Sequence, residues 1–147
     1  MRLAAIFTGA FLLAAGCAWC QGDPRDQLLG SWQAQDAKDQ ETWSFEDVHG
    51  DMKIKRSMNG ATVFEATCNT MGRECQAKDG GKTAKFSLWF NGGTLVLMET
   101  RGSDVWKRRF EATPDGTLTL ETIAINPPSK AESVHYRRLD VAAQTHR

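Results

Sequence analysis

The last two of the chain's four cysteines, Cys68 and Cys75, have a spacing that predicts a disulfide. They flank the six residues NTMGRE, which have the composition of a hairpin loop. Cysteines that face each other across two antiparallel strands come within bonding distance. Such a bond would stabilise the fold by about 2 to 3 kcal/mol, because it closes only a short loop.

The histidines do not form a pattern that indicates metal binding or acid–base catalysis. His49 falls in a predicted turn, His135 in the last predicted strand and His146 near the end of the chain. No spacing groups them with further ligands, and the Gly-x-Ser-x-Gly motif of a nucleophile turn does not occur. We therefore expect no metal, no cofactor and no enzymatic activity.

Arg108 is a candidate for binding an anionic group inside the fold. Side chains two positions apart share one face of a strand, so Arg108 accompanies Trp106 and Phe110. A buried guanidinium is costly unless it is paired. Its partner would be an internal acid, with Glu99 as the candidate, or an anionic ligand.

Arg138 accompanies Tyr136 on the last predicted strand by the same rule. A register shifted by one residue would instead place Arg109 and Arg137 inside, because alternate side chains point to opposite faces. The run TLVLMET is apolar on both faces. The sequence therefore leaves both registers open.

Regularly spaced turn signals predict ten short antiparallel strands. Gly supplies the positive φ that tight hairpins need, and Asn and Asp tolerate it. Between the turns, apolar and polar residues alternate, as in ETWSFED and AKFSLWF, which indicates strands with one buried face. The nine signals lie at residues 36–39, 49–50, 59–60, 69–73, 79–81, 91–93, 101–104, 114–116 and 126–128.

These strands predict an all-β fold, an up-and-down antiparallel meander closed into a barrel of eight to ten strands. Closure hides the two edges of the sheet, whereas a sandwich usually needs longer crossovers than the short connections found here. A short helical turn precedes the strands in DPRDQLL, where Asp23 can cap and Pro24 suits the first position. A loose polar linker is the alternative for this segment.

The first twenty residues have the layout of a secretory signal. Arg2 precedes an apolar stretch that ends near Trp19, and no later segment is apolar enough to span a membrane. Removal of residues 1–20 would leave a barrel domain at 21–147, exported to the periplasm or secreted. LAAGC is similar to the lipobox of bacterial lipoproteins, which implies a lipid anchor at Cys17 as the alternative.

The charge of the exported chain gives no reason to expect a nucleic-acid partner. Residues 21–147 carry 17 basic and 18 acidic side chains. Binding a polyanion requires a clustered basic face, and the densest basic runs, at 107–109 and 137–138, are short.

The motif Gly-Ser-Trp at residues 30–32, the meander and the final SVHYRRLD together resemble the lipocalin and fatty-acid-binding protein (calycin) superfamily, as in bacterial lipocalin-like domains. The resemblance covers residues 21–147. It implies that Gly30 and Trp32 open the barrel, and that Arg137 or Arg138 packs over the indole ring and closes it. A guanidinium over an indole contributes about 0.5 to 2 kcal/mol.

Two features depart from that superfamily. Fatty-acid-binding members hold a carboxylate with an Arg-x-Tyr on the last strand, but the order here is Tyr136, Arg137, Arg138. Secreted lipocalins often tie the C-terminus to the barrel with a disulfide, but no cysteine follows Cys75. The resemblance therefore implies the fold without the carboxylate site.

The leading functional prediction is an exported barrel that binds a hydrophobic or amphipathic small molecule. The sequence does not show whether the interior is hollow or filled. A filled interior would favour the alternative, an envelope-associated interaction module or hydrolase inhibitor that acts through its surface turns. The predicted ligand-binding residues are Trp43, Phe86, Phe90, Trp106, Arg108, Tyr136 and Arg138.

Overall fold

The computed structural model describes residues 22–36 and 38–139, in which ten antiparallel strands form one closed barrel. Each strand pairs with its neighbours in sequence, and the last strand pairs with the first. The predicted meander, its closure and the short helix are confirmed. The elements are α1 (Pro24–Leu28), β1 (Gly30–Ala34), β2 (Glu41–Val48), β3 (Asp51–Met58), β4 (Ala61–Cys68), β5 (Cys75–Asp79), β6 (Lys82–Asn91), β7 (Thr94–Arg101), β8 (Asp104–Ala112), β9 (Thr117–Asn126) and β10 (Glu132–Arg138).

Three predictions concern positions outside the described residues: the signal segment, the lipid anchor at Cys17 and the position of His146. Within the described residues, no helix has the length and hydropathy required to cross a bilayer.

Helix α1 covers one end of the barrel, which we call the helix end. The Asp23 side chain accepts a hydrogen bond from the backbone N–H of Arg25, as a cap should, and Leu28 is buried. The Arg25 guanidinium donates to Asp47 and to the carbonyl oxygen of Gly50, at 3.0 and 2.7 Å. The helix is thereby attached to the β2–β3 turn. The opposite end, where β3, β5, β7 and β9 finish, is the far end.

The first and last strands meet at the helix end through Trp32 and Arg138, which are paired in register. The Arg138 guanidinium lies 4.2 Å from the Trp32 ring centroid and donates to the carbonyl oxygens of Gln27 and Leu29. Arg137 is exposed on the outer face. The packing over the indole is therefore made by Arg138 and not by Arg137.

Gly30 is required beside this arginine for two reasons. Its φ is +120°, and a Cβ there would lie 2.7 Å from Nη1 of Arg138. We expect Gly30→Ala to lower the free energy of unfolding by about 1 to 3 kcal/mol, from backbone strain and displacement of the guanidinium. Urea unfolding measures this. Gly93→Ala is the control, since a Cβ at Gly93 meets nothing within 4 Å; equal losses for both variants would contradict the prediction.

The barrel interior is filled with side chains. Trp43 on β2 and Phe110 on β8 belong to strands that are not neighbours, yet their ring centroids are 5.0 Å apart across the interior. Phe45 lies 5.1 Å from the same Phe110 ring. Around them, completely buried side chains complete a dense core: Met52, Ile54, Leu88, Leu95, Leu97 and Leu118.

The hydrogen-bonded ladder between β4 and β5 is the shortest in the barrel, and a pair of cysteines lies beside it. Only Phe64 with Asp79 and Glu65 with Lys78 are paired there. The sulfur atoms of Cys68 and Cys75 lie 1.98 Å apart. The cysteines join the two strands where the ladder is absent.

Reduction of the Cys68–Cys75 bond, or the double variant Cys68→Ala/Cys75→Ala, is expected to lower the free energy of unfolding by about 2 to 3 kcal/mol. The reason is that the unfolded chain regains the conformational entropy of the loop that the bond closes. Urea unfolding with and without a reducing agent measures the change. The double variant serves as its own control, because the reducing agent should leave its midpoint unchanged. A native protein insensitive to reduction would contradict the prediction.

Candidate functional site

The inner face changes from apolar to charged at the far end of the barrel. The alternation of each strand continues into charged residues: Glu41 stands two positions before Trp43, and Arg56 two after Ile54. We call this set the polar layer. It consists of Glu41, Arg56, Asp79, Glu99, Arg101, Arg108 and the hydroxyl of Tyr136.

The most deeply buried ion pair of the layer joins Glu99 on β7 to Arg108 on β8. Nη1 of Arg108 lies 2.5 Å from Oε2 of Glu99, and the side chains are only 15% and 1% exposed respectively. Burial raises the pKa of Glu99 above its usual value, the neighbouring Asp79 carboxyl raises it further, and Arg108 opposes both. The internal partner predicted for Arg108 is the one observed.

A second ion pair lies against the same indole ring, that of Trp43, as the first. Nε of Arg56 donates to Oε1 of Glu41 at 2.7 Å, and Nε1 of Trp43 donates to the same oxygen at 3.0 Å. The guanidinium carbons of Arg56 and Arg108 lie 5.7 and 6.0 Å from the Trp43 ring centroid. Trp43 thus connects the two ion pairs across the interior.

A third ion pair lies closer to solvent. Arg101 is 3.5 Å from Asp79, and its guanidinium carbon is 5.0 Å from the centroid of the half-buried Trp106 ring. Each guanidinium in the polar layer therefore has a carboxylate partner, and the three pairs carry no net charge when ionised.

Two buried polar atoms of the layer have no hydrogen-bond partner among the described residues: Oε1 of Glu99 and the hydroxyl of Tyr136. Both side chains are fully buried. Burial, followed by the charge of Glu41, raises the pKa of Tyr136, so its hydroxyl stays protonated at neutral pH. Because buried polar atoms are nearly always hydrogen-bonded, each of these two atoms is an exception within the layer.

The structure brings together four of the predicted ligand-binding residues and separates the other three. Trp43, Trp106, Arg108 and Tyr136 lie in or against the polar layer. Phe86 belongs to the core, 5.9 Å from Phe64. Phe90 packs against the core and pairs with Leu95, next to the β6–β7 turn at the helix end. Arg138 lies at the helix end, where its guanidinium packs over Trp32 and donates hydrogen bonds to two backbone carbonyls.

Sequence reasoning missed Glu41, Arg56, Asp79 and Arg101. The signal was present, because each stands two positions from an inward-facing residue of its strand. Extending the period of two through the charged ends of the strands would have found them. Among the described residues, no three His, Cys, Asp or Glu side chains are placed to hold a metal ion.

The fold is that of the lipocalin and fatty-acid-binding protein barrels. A fatty-acid-binding protein of Schistosoma mansoni, solved with arachidonic acid, has a TM-score of 0.68 at 13% identity over 80% of this chain and 100% of its own. The fatty-acid-binding protein 1 of Echinococcus granulosus has a TM-score of 0.67 at 9% identity, covering 78% and 99%.

Secretory abundant heat soluble protein 4 of Ramazzottius varieornatus is a third structure of this shape, with a TM-score of 0.66 at 14% identity, covering 78% and 96%. No protein-family model matches the chain, and no curated protein matches it in sequence. Identities this low establish the fold alone, because one fold serves many functions.

Proposed function

We propose that the protein binds one small amphipathic molecule at the far end of its barrel. The observation that carries the proposal is the pair of buried, unpartnered polar atoms, Oε1 of Glu99 and the hydroxyl of Tyr136. The polar group of the ligand hydrogen-bonds to one of these atoms. Its apolar part contacts Trp106 and Val134, which face inward by strand alternation and are partly exposed at the far end.

The ligand is expected to be short or ring-sized. The S. mansoni protein was solved with arachidonic acid, a long-chain lipid. Here the Trp43 and Phe110 rings meet across the interior, and buried leucines fill the space beyond them. A long chain would have to displace this core, at a cost of several kcal/mol.

The proposed setting is outside the cytoplasm. The layout of residues 1–20 is that of an export signal, and two sulfurs at bonding distance are consistent with an oxidising compartment. We propose a periplasmic or secreted protein, with lipid anchoring at Cys17 as the alternative. Its role is binding and not catalysis, with a hydrophobic small molecule, and not nucleic acid, as its partner.

The experiment that tests the site is an NMR titration of the tryptophan indole N–H signals with small aromatic alcohols and amines. Trp43 and Trp106 belong to the proposed site. Trp32, at the helix end, and Trp89, on the outer face, are internal controls. Saturable shifts of the first two signals alone would support the proposal. Unchanged signals at millimolar ligand would contradict it.

The second candidate is an interaction module that acts through its outer surface. The observation that favours it is an exposed apolar side chain: Met71 is 78% exposed. Its backbone forms an isolated β-bridge with Trp89, whose side chain lies on the outer face. A filled interior is consistent with this function as well. Pull-down from a cell-envelope extract, compared with a Met71→Lys variant, would distinguish it from the first candidate.

A further inference from the structure

We infer that the carboxyl groups of Glu99 and Asp79 share one proton and so form a pH-sensitive latch between β7 and β5. We call this pair the carboxyl latch. It is closed while the proton is bound and open when both groups are ionised. The latch needs no ligand, and it leaves the Tyr136 hydroxyl as the atom to which the ligand of the proposed function hydrogen-bonds.

A shared proton explains the unpartnered oxygen of Glu99. Oε2 of Glu99 accepts a hydrogen bond from Nη1 of Arg108 at 2.5 Å, whereas Oε1 has no partner. The Asp79 carboxyl is close enough to hydrogen-bond to Glu99, but two ionised carboxylates only accept and have no hydrogen to place between them. A proton on Oε1 supplies the missing donor, and Oε2 continues to accept from Arg108.

The strand register allows the two carboxyl groups to meet across β6. Asp79 is paired with Lys82 of that strand, and Glu99 is paired with Phe86. Midway between these two positions, the inward-facing residue of β6 is Ala84, which is buried. Its single methyl group leaves room on the inner side of β6 for the longer side chains from the two neighbouring strands.

Burial makes the doubly ionised state of the pair unfavourable. The side chains of Glu99 and Asp79 are 1% and 15% exposed. Burial is the largest cause that raises the pKa of Glu99, the Asp79 carboxyl adds to it, and Arg108 opposes both. Arg101, 3.5 Å from Asp79, favours an ionised Asp79. The proton therefore resides on Glu99 and the negative charge on Asp79.

Charged and titratable groups surround Glu99 from six other strands: Glu41 on β2, Arg56 on β3, Asp79 on β5, Lys82 on β6, Arg108 on β8 and Tyr136 on β10. Arg101 follows two positions later on β7 itself. Glu41 and Arg56 form an ion pair at 2.7 Å and largely cancel each other's field. Lys82 is exposed, so solvent screens its charge. The state of Glu99 is therefore set mainly by its burial, Arg108 and Asp79.

Opening of the latch releases the end of β5, which has few other connections there. The ladder from β5 to β4 consists of two residue pairs. The turn that follows β5 is Gly80-Gly81, in which both residues have positive φ and open space around the Cα. When Glu99 loses its proton to solvent, the two carboxylates repel each other. Asp79, the more exposed of the two, then moves towards solvent together with the end of β5.

The proton is tested by NMR titration of the side-chain carboxyl carbons in the wild type and in Asp79→Asn. The Glu99 carbon of the wild type should report a pKa above the ordinary value of 4.5. Asp79→Asn removes the neighbouring charge and offers an amide donor to ionised Glu99, so the pKa of Glu99 should fall. A Glu99 that titrates at or below the ordinary value, or whose pKa Asp79→Asn leaves unchanged, would overturn the inference.

The release of β5 is tested by hydrogen exchange of the amides of residues 75–79. After correction for the intrinsic pH dependence of exchange, their protection should fall as pH rises through the titration of Glu99, while that of β9 stays constant. Glu99→Gln carries an amide that donates to Asp79 at every pH, so its β5 protection should not depend on pH. Asp79→Asn should behave in the same way and replaces that variant if it does not fold.

Glu121→Gln is the matched control, because Glu121 pairs with Arg109 on the outer face; it should keep the wild-type pH dependence. In urea, the unfolding constant of the wild type relative to Glu99→Gln should rise by up to about tenfold per pH unit between the unfolded and the folded pKa of Glu99. Protection of β5 in the wild type that does not change with pH would overturn the latch.

Discussion

Replacing Arg108 with methionine is expected to lower the free energy of unfolding at pH 8 by about 3 to 5 kcal/mol. The variant keeps much of the side-chain volume but leaves the Glu99 carboxylate buried without its counter-charge. Glu99 is 1% exposed, so water cannot replace the lost partner. Urea unfolding followed by circular dichroism measures the loss.

The loss should depend on pH. Burial raises the pKa of Glu99 in the folded protein above its usual value of 4.5, and Arg108 is the neighbour that lowers it. Removing Arg108 raises that pKa further. A raised carboxyl pKa means that the folded state binds the proton more tightly, so stability is retained below the unfolded pKa and lost as pH rises through the folded one. The variant should therefore be less impaired at pH 4 than at pH 8.

The control is the adjacent residue, Arg109, whose side chain lies on the outer face of the barrel. Arg109 and Glu121 are 3.6 Å apart, with side chains 42% and 35% exposed. Arg109→Met should cost no more than about 1 kcal/mol, because solvent screens such a pair. Adding Glu99→Gln to Arg108→Met should restore part of the stability. Equal losses for Arg108→Met and Arg109→Met would contradict the buried ion pair.

Arg138→Met should lower the free energy of unfolding by about 3 kcal/mol or more. The arginine contributes the cation–π contact with Trp32, worth about 0.5 to 2 kcal/mol, and hydrogen bonds from a charged group to the carbonyls of Gln27 and Leu29, worth about 1.5 to 3 kcal/mol each. These contributions overlap, because one side chain makes them all. Urea unfolding gives the magnitude.

Arg137→Met is the matched control for that variant. Arg137 is the adjacent, exposed residue of the same strand, and its replacement should change stability by no more than about 0.5 kcal/mol. The near-ultraviolet circular dichroism of Trp32 should change for Arg138→Met only. Similar unfolding midpoints for the two variants would show that the contact over the indole contributes little.

The strand count and the turns could be predicted because single residues determine them. His49 and Asn59 adopt positive φ, at 54° and 52°, each followed by a glycine that also does. These pairs reverse the chain whatever surrounds them. The resemblance to lipocalin-like barrels, based on Gly30 and Trp32, is likewise confirmed at the level of the fold.

The register could not be predicted where both faces of a strand are apolar. Leu95, Leu97 and Glu99 point inward, while Val96 points outward and is nevertheless buried. Its position between Trp89 and Arg109 on the neighbouring strands explains that burial. Only strand pairing, which is a long-range property, distinguishes such faces.

The filled interior also could not be predicted from the sequence. Which rings meet depends on barrel diameter and stagger, and nothing in the residue types of Trp43 and Phe110 indicates a contact between strands that are not neighbours. The polar layer depends on the same geometry, because it assembles acids and arginines from β2, β3, β5, β7 and β8. The alternation of side chains within one strand shows that each of these residues faces inward, but it does not show which of them meet in the polar layer.

The pairing of β1 with β10 has a consequence for how the chain reaches its native state. Leu29 and Arg138, which are hydrogen-bonded, are separated by 109 positions. The barrel cannot close, nor can the Trp32 indole be covered, until the last strand has been synthesised and has left the ribosome. High contact order of this kind slows folding, and an intermediate that lacks β10 exposes two unpaired edges to aggregation.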